Sequence, residues 1–122
     1  MLSYATVGTN DPEKSLPYYT ELLGLQGVTK LFDHPSGGAL FGKDGSPVLG
    51  VLKPYDGAAA TVGNGTMIAL SMPDRAAVDA FHAKAIELGG SDEGAPGERG
   101  PGFYMAYFRD PEGNKLCACR LG

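Results

Sequence analysis

The sequence predicts an α+β domain of two tandem β-α-β-β-β modules, whose strands form a curved, cup-like mixed sheet with the helices on the outside. Two observations lead to this prediction. The chain of 122 residues fits one compact domain, and its 19 glycines and nine prolines imply frequent turns, which favours a sheet-rich fold over a helical bundle. The same order of elements also occurs twice along the chain, as two copies of one unit would.

The first module covers about residues 1–54. It opens with a β-rich run, LSYATVG, and continues with a segment in which Leu16, Tyr19 and Leu22 recur at helical spacing before a glycine ends the run. Asn10, with a glutamate three residues later, predicts a capping box at the start of this helix. Three strand candidates follow, separated by turn-forming PSG and KDG sequences: GVTKLFDH, GALFG and SPVLGVLKP.

The second module, about residues 66–122, repeats this order after a Gly- and Ala-rich linker at 55–65. TMIALSM is again β-rich, and PDRAAVDAFHAKAIELGG is again helical and ends in glycine. The segment at 90–102 contains so many turn residues that only a short strand, around 90–93, is expected there. FYMAYF and NKLCACR are the last two predicted strands.

Composition excludes several classes of partner. The net charge is −4, and no run of basic residues is present to neutralise phosphates, so nucleic acid is not expected as a partner. No apolar stretch reaches the roughly 18 residues that a membrane-spanning helix needs. The first residues lack the features of a signal peptide, and two cysteines do not make a disulfide framework, so a reducing cytoplasm is the expected location.

Three segments, in this order, resemble the vicinal oxygen chelate superfamily, the group of glyoxalases, bleomycin-resistance proteins and ring-cleaving dioxygenases. They are TNDPEKSLPYYTELLGL, PDRAAVDAFHAKAIELGG and YFRDPEGNKL, of which the last is the most specific. The resemblance covers essentially the whole chain. It implies a cup of about eight strands with a half-enclosed pocket for a small molecule, and a homodimer in which a second chain completes or buttresses the cup.

The resemblance also implies where a metal would bind. Members that use a divalent metal take His, Gln or Glu ligands from strands that line the cup, and the ion stabilises an anion formed on the substrate. The corresponding positions here hold Tyr4, Met67 and Cys117, and a further one falls near Leu49 or Gly50. Because a phenol, a thioether and a thiol do not suit Mg, Mn, Fe or Zn in such a site, no metal and no other cofactor is expected.

Four residues are therefore candidates for contact with a ligand: Tyr4, Met67, Tyr104 and Cys117. Similar sequences have a tyrosine that faces the cup at the position of Tyr104, where a hydroxyl on an apolar wall would orient a ligand. Each candidate is also ordinary core or strand material. Arg99 either covers the mouth of the cup and meets an anionic ligand or belongs to a solvated loop.

Cys117 and Cys119 leave three interpretations open. Strand alternation puts both thiols on one face of the sheet and Arg120 on the other. The two thiols are then buried and inert, or they form a redox-sensitive or nucleophilic pair activated by tertiary neighbours, or with Met67 they bind Cu(I).

Two functions of different classes follow. The first is a small-molecule-binding protein that holds an apolar or aromatic ligand in the cup without a metal, with Tyr4 and Tyr104 as polar anchors. The second is a glyoxalase-like lyase or a dioxygenase that works without metal, or with a divalent metal held by ligands not identified in the sequence. His34 and His82 are expected in a turn and on a helix flank, where they do not replace the missing ligands. The lack of three oxygen or nitrogen ligands favours the binding function.

Overall fold

A computed structural model describes all 122 residues as two compact units, Met1–Val62 and Gly63–Gly122. Each unit contains a four-stranded mixed sheet and one helix, so the predicted α+β class and the two tandem modules are confirmed. Neither helix has the length and hydropathy that a membrane span requires.

The elements follow the same order in both units. The first unit contains β1 (Ala5–Gly8), α1 (Pro12–Gly24), β2 (Thr29–Asp33), β3 (Gly38–Lys43) and β4 (Ser46–Leu52). The second contains β5 (Ile68–Ser71), α2 (Arg75–Glu87), β6 (Ser91–Glu98), β7 (Phe103–Arg109) and β8 (Lys115–Leu121). Strands β1 and β5 begin at residues 5 and 68, and the helices begin at residues 12 and 75, so both pairs are offset by 63 residues. The repeat is therefore real in the structure.

The first sheet has the strand order β1-β4-β3-β2, with β1 parallel to β4 and the other pairs antiparallel. Its register groups one set of buried side chains on the same face: Val7, Ala39, Phe41, Leu49 and Val51. Helix α1 buries its own apolar side chains, among them Tyr19 and Leu22, and it covers this face. We call the side of each sheet turned toward its own helix the helix face, and the opposite side the far face.

Helix α1 begins one residue later than the capping-box prediction implies. Asp11 is the residue before the first turn, and its side chain makes no capping hydrogen bond. The side chain of Asn10 instead exchanges two hydrogen bonds with the backbone of Ala60, at 2.7 Å and 3.2 Å. The capping box was wrong because the amide finds main-chain partners 50 residues away. These two bonds attach the end of the 54–62 segment to the residues that precede α1.

The second sheet has the order β5-β8-β7-β6, with β5 parallel to β8. Asp74 caps α2, since its carboxylate accepts a hydrogen bond of 2.8 Å from the backbone N–H of Ala77. The helix packs Phe81 against Phe108 of β7, with ring centroids 6.2 Å apart. This contact fixes which side of the second sheet is its helix face.

Strand β6 is longer than the sequence indicated. It runs over eight residues, Ser91–Glu98, where only a short strand around 90–93 was expected. Its pairing with β7 shifts register on both sides of Gly94, so bulges take up the extra residues. Pro96 is tolerated because β6 is an edge strand, where a missing backbone N–H breaks no ladder on the open side.

Candidate ligand-binding site

Strand β7 presents two different sets of side chains to the two faces of the second sheet. Phe108 and Ala106 are buried on the helix face. Alternation turns Met105 and Tyr107 to the far face, where the Tyr107 hydroxyl lies 3.4 Å from the sulfur of Met105. An aromatic ring and a thioether therefore stand side by side on the far face.

The two cysteines join this surface from the neighbouring strand. Cys117 is the cross-strand partner of Tyr107, and Cys119 is the partner of Met105. Ala69 of β5 pairs with Cys117, and Met67, two residues earlier, continues the same alternation with 39% of its surface exposed. The second sheet thus groups Met67 and Cys117, two of the four predicted ligand contacts, on one face.

Tyr104 lies on the helix face. Its hydroxyl donates a 2.7 Å hydrogen bond to Asp79 of α2, and the guanidinium carbon of Arg75 lies 4.9 Å from its ring centroid. The bond to the carboxylate favours the protonated phenol and raises the pKa of Tyr104. The predicted orientation of Tyr104 toward the cup is therefore wrong, and Tyr107 is the tyrosine of β7 that faces away from the helix.

Two cations lie close to the ring of Tyr107. The guanidinium carbon of Arg99 is 5.6 Å from the ring centroid, and the Lys115 Nζ is 5.5 Å from it. Neither residue forms a salt bridge. The glycines of β6 make room for the guanidinium, because a Cβ at Gly94 would lie 2.9 Å from the Tyr107 ring and 3.3 Å from the Arg99 Nη2.

The acidic residues of β6 are engaged elsewhere. Glu98 binds Arg75 of α2 at 2.6 Å, and Glu93 accepts a 2.6 Å bond from the Nε of Arg109. The backbone N–H of Gly94 and the nearby His82 lower the pKa of Asp92. Arg99 and Lys115 therefore have no carboxylate partner on their own face.

His82 has a structural position. It is buried on α2, and its Nε2 lies 3.0 Å from the Oδ1 of Asp92 and 3.2 Å from the carbonyl oxygen of Tyr107. Its ring also packs edge-on against Phe108. These contacts join the helix to β6 and β7 and confirm that His82 does not stand on the far face.

The thiols are unreactive in this environment. Cys117 is fully buried, and burial raises its pKa to about 11, a shift to which the neighbouring Cys119 adds and which Arg99 partly opposes. Burial also raises the pKa of Cys119. Both cysteines are free, and both side chains are neutral thiols at physiological pH. The geometry thus supports buried inert thiols over a nucleophilic pair.

The far face of the first sheet contains Tyr4 next to small and aliphatic side chains. Tyr4 precedes β1, continues the alternation of Thr6 and is 48% exposed. Gly50 pairs with both Thr6 and Leu40, and a Cβ at Gly50 would lie 3.0 Å from the methyl group of Thr6. Leu49 points to the helix face and is fully buried. The position near Leu49 and Gly50 therefore offers no side-chain ligand for a metal.

A separate polar cavity of about 270 Å³ lies in the first unit, where the chain after β4 folds back toward the start of α1. No sequence motif predicted this cavity. Its wall consists of eight residues: Thr9, Asn10, Ser36, Lys53, Pro54, Gly57, Ala58 and Ala59. The bonds from Asn10 to Ala60 hold one side of this cavity in place.

The residues at the expected metal positions do not fit a hard divalent metal. Tyr4, Met67 and Cys117 supply a phenol, a thioether and a thiol whose pKa is raised, whereas such ions prefer carboxylate oxygen and imidazole nitrogen. The chain groups no three His, Cys, Asp or Glu side chains in a way that could hold an ion.

Comparisons with known proteins identify the family. The sequence model of the glyoxalase/bleomycin resistance protein/dioxygenase superfamily matches residues 1–118, and the chain belongs to this superfamily. A glyoxalase/bleomycin resistance protein from Albidiferax ferrireducens is 38% identical in sequence, with a TM-score of 0.88 over 98% of this chain and 97% of that one.

More distant structures share the fold. A glyoxalase-related enzyme from Fulvimarina pelagi is 20% identical, with a TM-score of 0.76 over 98% of this chain and 86% of the other. A lactoylglutathione lyase from Agrobacterium tumefaciens is 18% identical, with a TM-score of 0.72 over 98% and 92% of the two chains. No curated protein matches the sequence. The comparisons therefore define the family and leave the activity to be argued from the residues.

Proposed function

We propose that this protein binds a small apolar or aromatic molecule without using a metal, and that the candidate contacts lie on the far face of each sheet. One observation carries the proposal. The positions where metal-using members of the superfamily have ligands hold Tyr4, Met67 and Cys117, which are poor ligands for hard metals and good apolar contacts. Cys117 is buried on the far face of the second sheet. Tyr4 and Met67 are partly exposed and precede β1 and β5, where strand alternation directs them to the same side as the far faces.

The chemistry of these side chains supports binding over catalysis. Catalysis by proton transfer needs a group that titrates near neutral pH, and the thiol of Cys117 has a pKa of about 11. His82 is committed to contacts within the second unit. A binding surface needs only apolar area and a few polar groups to orient the ligand, and the tyrosines and methionines of the far faces provide both.

A neutral fluorescent probe tests the proposal. N-phenyl-1-naphthylamine should bind and brighten, and its dissociation constant should be the same before and after treatment with a chelator. Tyr4→Ser should weaken binding roughly two- to tenfold, the range expected for loss of one aromatic contact. Tyr55→Ser is the matched control, because Tyr55 is 99% exposed and lies outside both sheets.

Absence of probe binding would refute the proposal, and so would binding that the chelator abolishes. Equal losses in the Tyr4 and Tyr55 variants would show that the probe adheres to exposed aromatic side chains in general.

Two chains are proposed to associate as a homodimer. Large apolar side chains that are about half exposed or more in the single chain support this assembly, among them Leu2, Phe32, Phe103 and Leu121. Light scattering on a size-exclusion column should give twice the chain mass of 12.7 kDa. A mass equal to that of one chain would refute the dimer.

A further inference from the structure

We propose that the ligand has an anionic group, such as a carboxylate, attached to its aromatic body, and that Arg99 and Lys115 bind that group beside Tyr107. This inference rests on the proposed function and specifies the class of ligand. We call these three residues the cationic patch.

The two cations of the patch have no carboxylate partner. The protein as a whole is acidic, with a net charge of −4. Yet Arg99 and Lys115 approach one ring at 5.6 Å and 5.5 Å without a salt bridge to any carboxylate. Both cations lie against the same ring, so an anion bound beside that ring would be attracted to both.

Each acidic residue of β6 has a partner outside the cationic patch. Asp92 contacts His82, and Glu98 contacts Arg75 of α2. Glu93 is the acid on β6 that pairs with a far-face cation, and its partner is Arg109. Because Glu93 already pairs with Arg109, it does not pair with Arg99 or Lys115.

A hydrogen bond to the backbone orients the guanidinium of Arg99. Its Nη2 donates a 2.6 Å hydrogen bond to the carbonyl oxygen of Ala95, and its guanidinium lies over backbone that has no side chain at Gly94 or Gly97. A guanidinium has five N–H donors, and this bond occupies one of them. The planar group is therefore anchored at one corner while other N–H groups remain to bind a planar carboxylate.

Neutral sulfur-containing side chains lie next to the patch. Cys117 pairs with Tyr107 across the sheet, and Cys119 pairs with Met105. Tyr107 and Met105 are partly exposed and suit the body of an aromatic ligand. The buried thiols beside them are neutral and add no negative charge that would compete for the cations.

Two matched probes test the inference. 8-Anilino-1-naphthalenesulfonate has the same anilinonaphthalene body as the neutral probe, N-phenyl-1-naphthylamine, and carries an anionic group in addition. Lys115→Gln should weaken binding of the sulfonate probe about three- to tenfold and leave the neutral probe within about twofold. Arg99→Lys, which keeps the charge and loses the planar fork, should give a smaller loss for the sulfonate probe.

Arg120→Gln is the matched control. Arg120 lies on the same strand as Lys115 but is the cross-strand partner of Tyr104, which places it on the helix face. This substitution removes one positive charge and should change the affinity for neither probe. Circular dichroism and thermal melting establish that each variant is folded before it is titrated.

The possible results separate the inference from the proposed function. A loss for the sulfonate probe alone, confined to the patch variants, supports the inference. Equal losses for both probes, or an equal effect of Arg120→Gln, would overturn the anionic class and leave small-molecule binding intact. If neither probe binds to the unaltered protein, the proposed function fails and the inference fails with it.

Discussion

Burial of Cys117 predicts a specific dependence of stability on pH. The pKa of this thiol rises from 9.0 to about 11 in the folded protein, chiefly because burial disfavours the thiolate. Since the folded pKa lies above the unfolded one, the folded state holds the proton more firmly between these values. The resulting stability is fully present below pH 9 and is lost as the pH rises through about 11.

The size of the effect follows from the pKa difference. One pKa unit corresponds to about 1.4 kcal/mol, so a shift of two units has a limit of roughly 3 kcal/mol at high pH. At pH 10.5, part of the thiol is still protonated in the folded state, and the expected loss of unfolding free energy from Cys117 is about 2 kcal/mol.

The assay compares urea unfolding of the unaltered protein and the Cys117→Ala variant at pH 7.5 and pH 10.5. All other side chains are common to both proteins, so the difference between the two reports on the thiol. That difference should shift by about 2 kcal/mol in favour of the variant at the higher pH. A difference that stays constant with pH would refute the reasoning, because it would mean that the thiol is solvated or that its charge is compensated in the fold.

Three further substitutions, the last with a matched control, test particular contacts. Tyr104→Phe removes the hydrogen bond to Asp79 and should lower the urea midpoint slightly. It should leave probe binding unchanged, because the hydroxyl lies on the helix face. Weaker probe binding would contradict that placement. Asn10→Ala removes both hydrogen bonds to Ala60 and should speed limited proteolysis of the segment after β4. Mass spectrometry of the fragments detects this cleavage. An unchanged cleavage rate would show that the two bonds do not hold the segment in place. Gly38→Ala should cost about 2 kcal/mol or more in thermal unfolding, because φ is +102° and the Cβ would lie 2.0 Å from a carbonyl oxygen of β4. Gly45→Ala, at φ +79° with nothing within 4 Å of the Cβ, should cost less, and equal costs would contradict the steric argument.

The sequence predicted the elements whose signals are local. The spacing of apolar residues, together with the glycines that follow, located both helices. The internal repeat correctly placed the two helices at equivalent positions in the two modules. Alternation correctly put Cys117 and Cys119 on one face and Arg120 on the other. Strand β6 was underestimated because bulges and an edge position, which accommodate its glycines and proline, depend on the neighbouring strand.

The orientation of the β7 tyrosines was not available from the sequence. Tyr104 and Tyr107 are three residues apart on one strand, so alternation places them on opposite faces of the sheet. In the structure, Tyr104 pairs with Arg120 and Tyr107 pairs with Cys117. Alternation does not state which side meets the helix. Packing of Phe81 against Phe108 decides that, and it is a contact between residues 27 positions apart. Once Phe108 is assigned to the helix face, Tyr107 follows as the far-face residue.

The measurement that tests the central claim most directly is the metal content of the purified protein. Plasma mass spectrometry would be run on protein purified without added metal and again after incubation with Ni, Zn, Mn or Fe(II) and removal of the excess. The account predicts far less than one metal ion per chain under every condition, because Tyr4, Met67 and Cys117 do not suit these ions. Near-stoichiometric metal would contradict it and would point to a chelate enzyme with ligands other than these three residues.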